Sequence, residues 1–289
     1  MKNVIEITGL RKKYEKGFEL GSLQFSVMSG TIAGLIGENG AGKTTLLKIL
    51  LGISHADEGE IRIFGKDFKA HEAEIKEEIG VVLDDMFFSE VLSPLEIGKV
   101  MAGAFRSWDD KLFEDYLEEF DLPAKKPIKT FSKGMRKKLE IAAALSHRPK
   151  LLILDEPTNG LDPVVRNEIL DIFQAFVNDE EHTILLSTHI TTDLEHIADQ
   201  IIFLDHGKKV MDESRDEIMD EYGILRCDKD FLDKIDDEDI IRYQIHPYSC
   251  EVLVRGRKRM QMLYPECVID RITLESLMML TTKGEKRGK

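Results

Sequence analysis

The sequence predicts an α/β fold in which a large sheet-based domain is interrupted by a helical insertion and followed by a small α/β appendage. Three observations carry this. Continuous apolar runs at 151–154 and 183–187, with helical sequence between them, have the composition of parallel strands buried on both faces. From about 86 to 149 apolar residues recur at three- and four-residue steps, as in Leu112, Phe113, Tyr116, Leu117 and Phe120 after Trp108-Asp109-Asp110. A chain of 289 residues exceeds the commonest single-domain size and falls short of two full ones, so the expected division is 1–222 and 223–289.

In chain order, residues 1 to about 82 read as short strands at 4–7, 23–27, 31–36 and 60–64, broken by turns. One helix interrupts them, opening in a glycine-rich segment and carrying Leu46, Leu47, Ile49, Leu50 and Leu51, apolar nearly all round as a buried helix is. After the turn Asp205-His206-Gly207, an amphipathic segment over 208–222 leads out of the large domain. The acidic stretch from Asp228 to Asp239 lacks the spaced ligands and turn glycine of a calcium loop and reads as a solvated linker. Alternation at 243–246 and 251–255 predicts strands, and 273–280 a capped final helix. The basic run Arg255-Gly256-Arg257-Lys258-Arg259 reads as a solvated turn.

Composition narrows the classes. With 42% apolar and 33% charged residues the chain has material for a packed core, while a net charge of -14 opposes a grip on long phosphate backbones, so nucleic acid is not expected as a partner. No apolar run approaches the roughly 20 residues of a spanning helix and the amino terminus lacks a signal pattern, so a cytoplasmic chain is expected. Cys227, Cys250 and Cys267 fit neither a CxxC metal site nor a disulfide framework and read as reduced structural thiols.

The chemistry is concentrated in two segments. Gly37-Glu38-Asn39-Gly40-Ala41-Gly42-Lys43-Thr44 matches the phosphate-binding loop in full, between an apolar strand and a helix. Its glycines let successive N–H groups turn inward on a phosphate, and the helix N-terminus adds a favourable partial charge. Lys43 is expected to reach the β- and γ-phosphates of a nucleoside triphosphate, Thr44 to ligate Mg²⁺, and Thr45 to add a donor. Asp155 and Glu156 directly follow the apolar run at 151–154, at the carboxyl end of a buried strand where open α/β sheets place ligands. Asp155 is expected to hold Mg²⁺ through water and Glu156 to act as general base.

With these segments and four more in the same order, the chain resembles an ABC-transporter nucleotide-binding subunit over roughly residues 3–215. The resemblance implies the P-loop NTPase ABC-cassette fold and a role for each motif. Tyr14 takes the place of the aromatic that stacks on adenine. Phe131-Ser132-Lys133-Gly134-Met135 stands where the family has its Leu-Ser-Gly-Gly-Gln signature, which contacts the γ-phosphate held by the other cassette. Ser132 can cap the adjoining helix and Gly134 allows close approach; Lys133 either adds charge toward that phosphate or turns to solvent. Asn159-Gly160-Leu161-Asp162 resembles the D-loop of the dimer interface, with Asp162 its most telling residue, and Ser187-Thr188-His189 the switch, in which His189 meets the γ-phosphate and orients the water. The largest departure is Val81-Val82-Leu83-Asp84-Asp85, where the family has a glutamine; Asp84 could still ligate Mg²⁺.

The Asp pair and the Ser-Lys-Gly-Met signature resemble a bacterial exporter subgroup, the ABC-2-type drug and peptide efflux and immunity systems. The resemblance implies a motor subunit that closes head to tail with a second cassette on ATP and serves a separate transmembrane permease, docked on the 86–149 insertion. The alternative is a soluble ABC ATPase acting on DNA or ribosomes. Against it, Lys43 and Ser132 leave no room for a long coiled coil between them, and the chain carries one cassette rather than two.

Overall fold

The computed structural model describes residues 2–15 and 17–287. They form two compact units, one of 1–190 with 202–212 and one of 191–201 with 213–289.

In the larger unit the chain runs β1 (Asn3–Lys13), β2 (Glu19–Met28), β3 (Ile32–Ile36), α1 (Lys43–Leu50), β4 (Glu58–Ile63), β5 (Lys66–Asp67), α2 (Glu72–Glu77) and β6 (Ile79–Val82). The helical insertion comes next as α3 (Pro94–Ala104), α4 (Asp110–Glu119) and α5 (Lys133–Leu145), and then β7 (Leu151–Asp155), α6 (Pro163–Val177), β8 (Thr183–Ser187), β9 (Gln200–Asp205) and β10 (Lys208–Ser214). A six-stranded sheet has the order β10-β9-β3-β8-β7-β6, and the pairs β3 with β8, β8 with β7 and β7 with β6 are parallel. Every residue of β3, β7 and β8 is buried, which is why their sequences are apolar without alternation. A four-stranded antiparallel sheet, β2-β1-β4-β5, alternates instead. Between them Leu46, Leu47, Ile49 and Leu50 of α1 join Ile5, Leu20 and Leu23 in one core cluster.

The insertion is set by its caps. Ser93 and Glu96 form a reciprocal capping box ahead of α3, the Ser93 N–H donating 2.8 Å to Glu96, with Pro94 opening the helix. Asp109 caps α4 by accepting from the Leu112 N–H at 2.9 Å, and Phe113 and Leu117 turn inward. The short α2 falls in a stretch that reads as strands and turns, because a six-residue helix with one buried apolar residue, Ile75, shows no period.

The smaller unit holds α7 (Thr191–Ile197), α8 (Arg215–Glu221), β11 (Tyr222–Cys227), α9 (Lys229–Leu232), β12 (Arg242–Ile245), β13 (Cys250–Arg255), α10 (Arg257–Leu263), β14 (Val268–Arg271) and α11 (Leu274–Lys283). Its antiparallel sheet runs β12-β13-β11-β14. The units depart from the 222/223 division: α7 lies against α11, and the Leu274 N–H donates 2.6 Å to the Glu195 carboxylate, a long-range pairing that composition does not reveal.

Two further expectations are corrected. The stretch from Asp228 to Asp239 is not a solvated linker, since Leu232 and Ile235 are in the core and the buried Asp239 accepts from the Tyr264 hydroxyl at 3.0 Å and pairs with Arg259. The run Arg255 to Arg259 is exposed at Arg255, Lys258 and Arg259 as expected, but it ends β13 and opens α10 instead of forming a turn of its own. Arg255 pairs with Glu213 and Glu217 and lies over the Tyr222 ring, and Gly256, with φ 76, opens α10. Burial and the adjacent Glu213 carboxylate push the Tyr222 hydroxyl up to about 12, which keeps it a donor, at 2.9 Å to Glu213. All three cysteines are unbridged; Cys227 stands opposite Cys250 across two strands, and burial above all raises its thiol to about 12.

Candidate functional site

The site is built where the carboxyl ends of β3, β7 and β8 meet the start of α1. Glycine is required at two places in the loop from 37 to 44. A Cβ on Gly37 would come 2.3 Å from the Leu204 carbonyl oxygen, and Gly42, with φ 109, would bring one 2.7 Å from Leu20 and 3.2 Å from the Phe18 ring. The loop thus folds tightly enough for Lys43 to be buried, with its ammonium donating 2.7 Å to the Gly37 carbonyl. Burial lowers the Lys43 pKa, and the charges of Glu156 and Asp155 act against that shift.

Opposite the lysine, the Thr44 hydroxyl donates 3.2 Å to one oxygen of Asp155. The other oxygen, Oδ1, is buried without a hydrogen-bond partner. An orphaned carboxylate oxygen beside a threonine hydroxyl is a donor set suited to Mg²⁺, whose water shell would satisfy it. Among the described residues no three His, Cys, Asp or Glu side chains cluster into a metal cage.

Glu156 occupies the left-handed region with φ 51, unusual for a residue with a side chain. Its N–H donates 2.8 Å to the Ser187 carbonyl, which anchors the turn to the end of β8. Its Oε2 accepts from three groups of the next segment: His189 Nδ1 at 2.7 Å, the His189 N–H at 3.3 Å and the Thr188 hydroxyl at 3.4 Å. The carboxylate and the exposed imidazole are therefore held as a pair, although 33 residues separate them.

A cleft of about 720 Å³ opens over this constellation, lined by Glu38, Asn39, Gly40, Gly42, Lys43, Thr44, Thr45, Asp155 and Glu156. Asp84 and Asp85 line it too, as does Phe18. Tyr14 does not; it stands with its ring 6.2 Å from Phe18, while Lys12 lies over its face. Sequence reasoning missed Phe18, which lies four residues after Tyr14 and just before β2, where no local feature sets it apart.

The remaining motif residues lie outside the cleft. Ser132 caps α5, accepting from the Met135 N–H at 3.2 Å, and Gly134 is buried where a Cβ would approach Val165 to 3.0 Å. Lys133 is exposed, and its ammonium lies over Gly160, 2.6 Å from where a Cβ there would sit. Asp162 caps α6 through the N–H groups of Val164 and Val165. Signature and D-loop are thus neighbours within one chain and away from its own phosphate loop.

A parallel sheet whose first buried strand passes through such a loop into a helix is the architecture of the P-loop nucleoside triphosphatases. Comparison with known proteins is more specific. The sequence model of the ABC transporter family matches residues 20–159. The bacitracin transport ATP-binding protein of Bacillus licheniformis is 36% identical over 210 residues, covering 72% of this chain and 69% of the relative. The lantibiotic transport ATP-binding protein of Streptococcus pyogenes is 36% identical over 217 residues, 74% of this chain and 92% of the relative. A solved ATP-binding subunit of an ABC transporter matches with a TM-score of 0.66 at 28% identity, covering 74% of this chain and 91% of the other. The chain belongs to the ABC transporter ATP-binding proteins and is an ATPase of that family, as its motifs lead one to expect. Among its described residues no helix is long and apolar enough to cross a membrane.

Proposed function

We propose that this chain drives the export of a peptide antibiotic or a similar small molecule through a separate membrane-spanning permease, by ATP-dependent closure against a second cassette. The observation that carries the ATPase part is the Glu156 carboxylate, held by His189 beside Asp155 and facing the loop lysine. In this reading the loop N–H groups and Lys43 bind the phosphates, and Thr44, Asp155 and Asp84 hold Mg²⁺. When bound, Mg²⁺ would supply positive charge against that developing on the phosphate. Glu156 takes the proton of the attacking water while His189 keeps the carboxylate oriented. Ser132, Lys133, Gly134 and Asp162 serve the nucleotide of the second cassette. The bacitracin and lantibiotic relatives support an exporter of peptides over a DNA- or ribosome-associated ATPase.

Docking of a permease is supported by a groove of about 920 Å³ with apolar walls, including Ile53, Val81, Phe87 and Phe105. It draws on residues before the helical insertion as well as in it, so the 86–149 segment supplies one side only. Ile53 and Phe87 are 61% and 72% exposed, more than isolated surface side chains require. Purification of the tagged chain from its native membranes in mild detergent is expected to recover a polytopic membrane protein in near-stoichiometric amount, and Ile53→Glu to lose it. Recovery with ribosomes or DNA-associated proteins instead would overturn the transport assignment.

The base of the nucleotide has Tyr14 and Phe18 at hand. Tyr14→Ala is expected to raise the KM for ATP about tenfold with kcat nearly unchanged, since stacking on a base contributes about 1–3 kcal/mol. Phe18→Ala is expected to act in the same direction. Steady-state kinetics that leave both KM values at the wild-type level would remove this pair from the base.

A further inference from the structure

Two charged side chains on α5 are buried and have no part in the site described above. Lys137 and Glu140, one turn apart, are each only 6% exposed, and their ion pair measures 2.7 Å. An ion pair this deep offsets its desolvation only when its other hydrogen-bonding groups are satisfied. Lys137 meets that condition through a bond to another element: its ammonium donates 2.8 Å to the carbonyl of Leu83.

Leu83 immediately follows β6 and precedes Asp84, and it lines both the nucleotide cleft and the apolar groove. The acceptor of the Lys137 bond is therefore the peptide unit from which the Asp84 backbone starts. Asp84 is also close enough for its charge to act on Glu140, whose carboxyl is pushed up by burial first and by Asp84 as well, against the pull of Lys137. Asp84, Asp85, Asp155 and Glu156 line the cleft together with Lys43 and Lys48, while Lys137, outside it, holds the carbonyl of the residue just before Asp84.

We infer that Lys137, braced by Glu140, is a positioning residue for the nucleotide-bound cation: by holding the Leu83 carbonyl it sets where the Asp84 carboxylate stands in the cleft. This rests on the proposal that Asp84 is a cation ligand. The bond joins the helix that begins with the signature to the loop that faces the metal, so the position of one constrains the other within a single chain.

The probe is Mn²⁺, titrated by its electron paramagnetic resonance signal into the full-length chain saturated with ADP. Removing both charges together, Lys137→Met with Glu140→Leu, leaves no buried charge unpaired and tests the tether without an orphaned ion. The double variant is expected to bind Mn²⁺ about tenfold more weakly, the size of loss typical when a group that orients a metal ligand is removed. Asp84→Asn is expected to weaken binding similarly, and the three changes combined no further than Asp84→Asn alone, because the tether acts through Asp84. Lys137→Gln, expected to move in the same direction, replaces the double variant if that fails to fold. A loss with Asp84→Asn but none on removing the pair, or losses that add in the combination, would overturn the inference and leave Asp84 a ligand. Unchanged Mn²⁺ binding in Asp84→Asn would overturn the ligand proposal itself and the inference with it.

Discussion

Glu156→Gln is expected to lower ATP turnover by about 10²–10⁴-fold while nucleotide binding persists. Glutamine has the shape of glutamate and can still accept from His189 Nδ1 through its carbonyl oxygen, so the 2.7 Å contact and the turn anchored on Ser187 need not change. What disappears is the basicity that draws a proton from water. With binding retained and turnover blocked, the variant is expected to accumulate as an ATP-bound dimer, seen as a shift to twice the mass on gel filtration with ATP and not with ADP. Normal hydrolysis by this variant would remove Glu156 from the role of base.

Lys43→Met should abolish binding rather than turnover. The two side chains are of similar length, so packing at the buried position is retained while the charge is lost. Hydrogen bonds to charged groups contribute about 1.5–3 kcal/mol each, so losing the lysine's bonds to phosphate lowers ATP affinity by at least ten- to a hundredfold. In the nucleotide-free chain the sign reverses. Lys43 is desolvated and its ordinary pKa is lowered, chiefly by burial, so removing the charge relieves the folded state of an unfavourable term. Thermal unfolding without nucleotide should therefore show an equal or higher Tm, and the rise in Tm that ATP gives the wild type should be absent. A Tm rise with ATP as large as the wild type's would contradict the assignment.

The contrast between what sequence reasoning reaches and what it misses has a physical basis. Lys43 with Thr44, Asp155 with Glu156, and His189 after its strand are each contiguous with an element that declares itself, a glycine-rich turn or a continuous apolar run. Local chemistry and local structure coincide there, and the geometry brings the three segments together. Phe18 was not legible because nothing local distinguishes an aromatic that folds over Gly42 from one in a turn. Lys137 and Glu140 carry no local signal beyond opposite charges at i and i+3; only the tertiary fold buries them. In the smaller unit the error ran the other way. Counting acids between Asp228 and Asp239 hid the apolar Leu232 and Ile235, and counting bases from Arg255 to Arg259 hid their carboxylate partners. Charge runs predict solvation only where the partners are in water.

The discontinuous make-up of the smaller unit bears on how such chains can be recombined. Its eleven-residue piece, 191–201, follows β8 and runs into the start of β9, upstream of everything else in the unit. A splice that exchanges only the carboxyl-terminal part between relatives would pair a foreign α11 with a resident α7 and lose the bond from Leu274 to Glu195. Inheritance of this accessory part as a module therefore needs two segments to travel together, and gene fusions joined at a single seam would leave one of them behind.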